Sequence, residues 1–363
     1  MSERSVSQVF WTRFKHNKPA VIGGFFLLLA SFLALFAYAL APDGSSNGNQ
    51  QDLRLIALSP GSKVEVVLFE SNSLRATPFL QRILTGEANP PAFFPVQSVR
   101  LRQDTLYFQA YTRAVAVDAV WEALPLQTAE GRYRIQTRRY WLGTDVMGRD
   151  LLSRLLLGLR VSLAVGFIAV LISISIGASL GAIAGYYRGW VDYWIGWLIN
   201  VIWSIPSLLL VIAFSLALGK GMWQVFLAVG LTMWVDVARI VRGRVLSLRE
   251  QEFVTAARAM GFSDFRIIFR HLMPNVVGPI VIMAASNFAT AILVESGLSF
   301  LGLGLQPPAA SLGMMIKEHY PYIIMDAAYL ALVPGLVILL LVLAFNLLGN
   351  GLSDAFDSKV KMM

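Results

Sequence analysis

VSLAVGFIAVLISISIGASLGAIAGYY, residues 161–187, runs for 27 positions without a charged side chain. The hydrocarbon core of a bilayer is about 30 Å thick and a helix rises 1.5 Å per residue, so a span needs roughly 20 apolar residues. Residues 21–41, 193–218, 275–294 and 327–353 reach the same length. A sixth run, 222–235, attains it only by continuing past Asp236 to Val241. The chain therefore reads as an all-α membrane protein with six transmembrane helices, at 21–41 and about 161–187, 193–218, 222–241, 275–298 and 327–350.

Composition agrees. Of 363 residues, 56% are hydrophobic and 14% charged, against about 25% charged in an average soluble domain. This excludes disorder and disfavours a soluble fold. The net charge of +8 is small and distributed as a membrane topology requires, which argues against nucleic-acid binding. With no cysteine and only His16, His271 and His319, neither a metal centre nor a cofactor is expected.

The first apolar run imitates a signal peptide, with Arg13, Lys15 and Lys18 ahead of it and Ala39-Leu40-Ala41 at its end. It exceeds the about 7–15 residue core of a cleavable signal and reads as an uncleaved anchor behind a basic arm, 1–20. Orientation follows from basic residues in short loops. The arm carries Arg4 as well, and residues 236–275 carry Arg239, Arg242, Arg244, Arg249, Arg258, Arg266 and Arg270. With six spans the arm, the Arg-rich segment and the tail 354–363 share the cytoplasmic side, and the loop from Pro42 lies outside. Trp190, Trp194 and Trp197 suit an interfacial aromatic belt, and Pro206 should kink the third span. Gly177, Gly181 and Gly185 recur every four residues, continued by Ser173 and Ala169, a row that lets another helix approach closely. Packing within the subunit is the simpler reading and packing against a partner subunit the alternative.

Residues 42–140 read as an inserted extracytoplasmic, β-containing domain behind a polar linker, DGSSNGNQQ at 43–51. Residues 63–69, 98–112 and the region of Tyr133–Ile135 alternate as strands do, and Pro90, Pro91 and Pro95 suggest a rigid connection. No catalytic constellation is visible there, so a structural cap or docking surface is preferred to an enzyme.

The segment 242–274 lies between spans and reads as two short amphipathic helices. Phe253, Ala256, Ala257 and Met260 fall at i, i+3, i+4 and i+7. Gly261 suits a helix end, Ser263 a cap and Asp264 a first turn. Phe265, Ile268, Phe269 and Leu272 form a second stripe, and Pro274 begins the next span. Such a basic elbow can lie on anionic lipid or fit a groove on a cytoplasmic partner. Periodicity leaves the two even.

Glu252–Gly261 (EFVTAARAMG), continued by Ile267–Asn275 (IIFRHLMPN), resembles the EAA loop of ABC importer permeases, in the form found in the second, "C"-type, permease of dipeptide and oligopeptide importers. LGTDVMGRD at 142–150, LRVSL at 159–163, GYYRGWVD at 185–192, LSFLGLGLQPP at 298–308 and AFNLLG at 344–349 are similar too, so the likeness covers about 140–357 and takes in a permease core of 141–353. It implies one permease of a heterodimer in the bacterial cytoplasmic (inner) membrane, two cytoplasmic ATPase subunits, an extracytoplasmic substrate-binding protein, and no enzyme activity in this chain. It implies that Glu252, Phe253, Thr255, Ala256, Ala257, Met260, Gly261, Phe265, Ile268 and Phe269 couple to an ATPase. The long insert is larger than in common members of that family.

Thr255 stands where the general motif has Glu, and Leu312 where many members have Trp. Asp236 replaces a small residue and could pair with Arg239 one turn on. Asp236, Arg160 and Glu295 are candidates for the translocation pathway. Glu295 could equally make a structural hydrogen bond, and Arg160 an interfacial anchor. Two other classes compete: a membrane-anchored receptor or adaptor using the insert, and an ion-coupled secondary transporter, which usually shows an internal repeat. A permease for a non-peptide solute such as a nickel chelate also stays open.

Overall fold

The computed structural model describes residues 6–69, 78–87, 90–102, 105–112, 121–125, 133–219, 221–325 and 327–356. Helices α1 (Val6–His16), α2 (Lys18–Leu35) and α3 (Ala37–Leu40) open the chain. Strand β1 (Ser62–Phe69), helix α4 (Phe79–Thr85) and strands β2 (Ala92–Arg102), β3 (Thr105–Ala110), β4 (Trp121–Pro125) and β5 (Tyr133–Tyr140) follow. The rest is helical: α5 (Leu151–Tyr187), α6 (Gly189–Trp203), α7 (Ser207–Leu218), α8 (Met222–Arg249), α9 (Glu252–Ala259), α10 (Asp264–Arg266), a π-helical stretch (Ile267–Leu272), α11 (Met273–Leu301), α12 (Leu312–His319) and α13 (Tyr329–Phe356). Among the described residues, five helices are long and apolar enough to cross a membrane, or six if the bent pair α6–α7 is one span.

Several spans depart from the lengths read off uncharged runs. The second begins at Leu151 rather than 161, and so includes Arg154 and Arg160. Buried Asp145 and half-buried Glu318 stand against Arg154, as shown below. The third, expected as a kinked 193–218, is two helices bent by 92°. Pro206 offers no N–H and disfavours helical backbone in the residue before it, and α7 starts afresh just after it. The fourth span runs on to Arg249. The fifth does not begin at Pro274, because Asp264–Leu301 forms one continuous helix. Its π-helical stretch shifts the hydrogen-bond ladder just ahead of that proline, where a donor is missing.

The chain divides into two compact units. The first takes the described residues of Met1–Ser31, Ser162–Gln306 and Gly335–Met363. Within it the glycine row of α5 lies against α8. A Cβ at Gly177 would stand 2.5 Å from the carbonyl oxygen of Trp234, one at Gly185 2.8 Å from that of Arg242, and one at Gly181 would overlap that of Ala238. Hydrogen at these positions is what allows the two backbones to meet. Asn17 donates to Asp354 (2.9 Å).

The second unit takes the described residues of Phe32–Val161 and Pro307–Pro334. Its five-stranded antiparallel sheet has the order β4-β3-β2-β1-β5. Alternation along β1 sends Val64, Val66 and Leu68 to one face, with Leu55, Leu58 and Tyr140, and Val67 to the other, with Val96, Leu106 and Phe108. The expected strand at 98–112 is a hairpin, with β2 and β3 paired from Ser98–Gln109 to Arg102–Thr105. Pro95 is no connector. It sits inside β2 opposite Val66, and its carbonyl accepts from Tyr111.

Candidate functional site

The elbow residues lie in the first unit, on a base built from four elements. Val254 and Ala257 of α9 pack with Ile267, Ile268 and Leu272, with Val237, Val241 and Val245 of α8, and with Ala178, Ala182 and Tyr186 of α5. This corrects the face expected for α9. Its buried line is Val254 and Ala257, while Phe253, Thr255, Ala256 and Met260 are exposed. The second stripe splits likewise: Ile268 and Leu272 are buried, Phe265 is 70% exposed and Phe269 51%. Phe265 and Phe269 lie against each other, ring centroids 4.5 Å apart.

Polar contacts hold this base. Gly261 closes α9 with φ +78°, a backbone that residues with a Cβ rarely adopt. Ser263 takes the capping position in extended backbone but makes no side-chain cap; its carbonyl accepts from Ile267. Tyr186 donates to Asp264 (2.6 Å). The guanidinium of Arg258 lies 5.1 Å from the Tyr186 ring and that of Arg266 4.1 Å from the Phe262 ring. Arg242 reaches Asp192 through two nitrogens, Nη2 at 2.8 Å, and Arg188 pairs with exposed Glu250 at 2.8 Å. Glu252 is exposed at the start of α9. The arrangement is an apolar, partly aromatic surface on a rigid support.

The remaining candidates are dispersed. Asp236 is exposed and, among the described residues, has no ion pair; Arg239 instead lies 3.8 Å from the Trp203 ring centroid. The expected Asp236–Arg239 pair is therefore not formed, the ring face having taken the cation. Glu295 is fully buried and accepts from Ser162 (3.0 Å) and Ser299 (2.8 Å), with Ser296 at 3.5 Å. In the second unit, Arg160 lies over Tyr38 (4.9 Å) and within 3.5 Å of the Ile83 carbonyl.

A second polar cluster escaped sequence reasoning. Asp145 accepts from the backbone N–H groups of Met147 and Arg149, and its other oxygen takes Nε of Arg149 (2.5 Å). Arg149 and Arg154 both reach Glu318, at 2.7 and 3.3 Å. His319 points Nδ1 at the Met315 carbonyl (2.6 Å) and leaves Nε2 without a hydrogen bond, 3.9 Å from Asp145. Burial pushes the imidazole below its ordinary range, and the charge of Asp145 opposes this. Asp145, Glu318 and His319 are close enough to share a cation, but two guanidinium groups already occupy the carboxylates, so the set is an ion-pair network. Asp145 and Arg149 at i, i+4 were the available signal. Glu318 is 169 residues from Arg149.

Comparison with known proteins now places the chain. Residues 177–362 match the model of the binding-protein-dependent transport system inner membrane component, and residues 5–60 that of the N-terminal transmembrane domain of oligopeptide transport permease C. The chain is 43% identical over 222 residues to the dipeptide transport system permease protein DppC of Alkalihalophilus pseudofirmus, covering 61% of this chain and 73% of the relative. It is 44% identical over 222 residues to the glutathione transport system permease protein GsiD of Pectobacterium atrosepticum, with the same coverage. A solved structure of the MetNI methionine ABC transporter, inward facing, aligns with TM-score 0.45 and 22% identity over 55% of this chain and 93% of that one. The chain belongs to the family of binding-protein-dependent transport system inner membrane components. It is a multi-pass inner-membrane permease of the oligopeptide permease C type.

Proposed function

We propose that this permease forms half of the pathway of an ATP-driven importer of peptides. A second permease forms the other half, and separate cytoplasmic subunits hydrolyse ATP. The arm, the elbow and the tail face the cytoplasm, and the insert faces outward toward a substrate-binding protein. The relatives' names, a dipeptide and a glutathione permease, support peptides as cargo.

One observation carries the coupling role: Phe253, Met260, Phe265 and Phe269 stand exposed while the neighbours between them are locked into the core. An apolar patch on a rigid base suits a groove on a partner. Arg258 and Arg266 are turned onto aromatic rings, which favours a protein groove over a layer of anionic headgroups. When nucleotide draws the ATPases together, the elbow moves with its partner. Because α10, the π-helical stretch and α11 are one helix, that motion passes directly into a span, as alternating access requires. The bonds from three serines to Glu295 support a structural role for that carboxylate.

The absence of cysteine makes the test direct. A Met260→Cys variant carries a single thiol. In the assembled importer it should cross-link to an ATPase subunit, with a yield that changes when ATP is added. A thiol that stays fully open to a water-soluble maleimide in the assembly would overturn the reading.

A further inference from the structure

One face of α8 is left open by the rest of the chain. Asp236, Gly243 and Ser247 are exposed and, at about 100° per residue, form one row along the helix. Beside that row, within the first unit, runs an open groove of about 540 Å³. Arg239, Gly243, Arg244 and Ser247 of α8 line one side, and Ile282 and Met283 of α11 the other. Ligand pockets run from about 300 to 1,000 Å³, so the groove has room for a small organic molecule.

Its floor is a glycine that packing does not require. Gly177, Gly181 and Gly185 have the backbone of α8 against them, but a Cβ built on Gly243 meets no atom within 4 Å. Glycine weakens a helix interior relative to alanine, and here it leaves open space beside two guanidinium groups. Among the described residues neither has an anionic partner: Arg239 lies over the Trp203 ring, 3.8 Å from its centroid, and Arg244 is exposed. Ser247 adds a hydroxyl one turn beyond Gly243.

An anion for this pair could be a lipid phosphate or the carboxylate of a solute, and Asp236 decides between them. It is exposed and without an ion pair, two turns deeper on the same row as Gly243, within a helix long and apolar enough to cross a membrane. Ionisable groups inside a span face water-filled cavities or other protein rather than acyl chains. Across the groove, Ser286 and Thr290, seven and eleven residues on from Pro279 of the wall, are exposed as well. The open face is thus polar on both helices where a lipid tail would have to lie.

We propose that this groove binds the C-terminal carboxylate of a short peptide, held by Arg239 and Arg244 with the Ser247 hydroxyl. Gly243 lets the peptide backbone come close, and Ile282 and Met283 offer an apolar wall to its side chains. The choice of a peptide rests on the transport reading; the anion site itself does not.

The test uses the full chain carrying Gly243→Cys, which puts a single thiol into open space because the chain has no cysteine. In phosphatidylcholine nanodiscs, the rate at which a neutral methanethiosulfonate modifies that thiol is followed. L-alanyl-L-alanine should slow the reaction, and its C-terminal amide should need at least about tenfold more for the same slowing, the scale of one charged hydrogen bond. Adding Arg239→Gln and Arg244→Gln together should remove the difference. Should the cysteine variant fail to fold, equilibrium dialysis of the labelled dipeptide and its amide against the wild type reads the same contrast. No effect of the dipeptide, or an equal effect of the amide, overturns the site. So does slowing that appears only when phosphatidylglycerol is built into the nanodisc, which would assign the groove to lipid. The transport reading is judged separately: peptide uptake by an assembled importer whose groove ignores the dipeptide would sink only the groove, and protection without uptake would sink only the transport.

Discussion

The elbow and the Asp145–Glu318 network handle unlike groups in opposite ways. The elbow turns large apolar side chains outward on a buried aliphatic base. The network encloses two arginines, two carboxylates and an imidazole, with Arg149 and Arg154 each about 2% exposed or less. Removing a group from the first leaves the fold's accounts unchanged, because that group touches little. Removing one from the second strands a charge with no water to take it up. Function that depends on a partner belongs to the first kind of surface, and rigidity to the second.

The largest effect should come from the network. Arg149→Met would leave Asp145 and Glu318 under-paired and should cost about 3–5 kcal/mol, read as a fall in thermal unfolding temperature in nanodiscs. An unchanged midpoint would show that the two regions do not differ in the way described. Next, Gly181→Val would push a side chain into the α8 backbone at Ala238 and should cost about 1–3 kcal/mol by overpacking, measured in the same assay.

A smaller effect is a pH dependence. Burial holds the folded pKa of His319 below the ordinary 6.5. The unfolded chain then binds the extra proton first, so stability should fall as pH drops below about 6.5, down to the folded value. Asp150 acts in the opposite sense. Its folded value of about 6 lies above the ordinary 3.8, so it adds stability as pH falls through 6. His319→Gln should remove the first trend and leave the second, visible as unfolding midpoints that rise between pH 6.5 and 5. Midpoints that fall in the variant as in the wild type would exclude His319 as the source.

The two regions were also unequally legible. Six apolar runs gave the helical core because a bilayer demands long uncharged segments, and the elbow stood out through its motif. Its phase was misread for a physical reason. A helix that is apolar on an exposed face as well as on its buried one shows a single broad stripe, so Phe253, Ala256, Ala257 and Met260 fall together although only Ala257 is buried. A charge at Ala257 would therefore disturb the fold as well as coupling. The start of α5 was hidden by the rule that spans lack charge, which Arg154 breaks by finding Glu318, 164 residues away. No local pattern reveals such a pair. Pro206 signalled a kink, but nothing in the sequence set its size.

The most direct measurement is ATP hydrolysis and peptide uptake in the reconstituted importer carrying Phe265→Glu. Phe265 is exposed and outside the core cluster, so its unfolding midpoint should stay within about 0.5 kcal/mol of wild type. Uptake should fall at least about tenfold, and peptide should no longer stimulate hydrolysis, because an unpaired charge would then stand in the apolar contact proposed for the elbow. Wild-type uptake and stimulation by this stable variant would contradict the claim that the elbow is where the permease meets its motor.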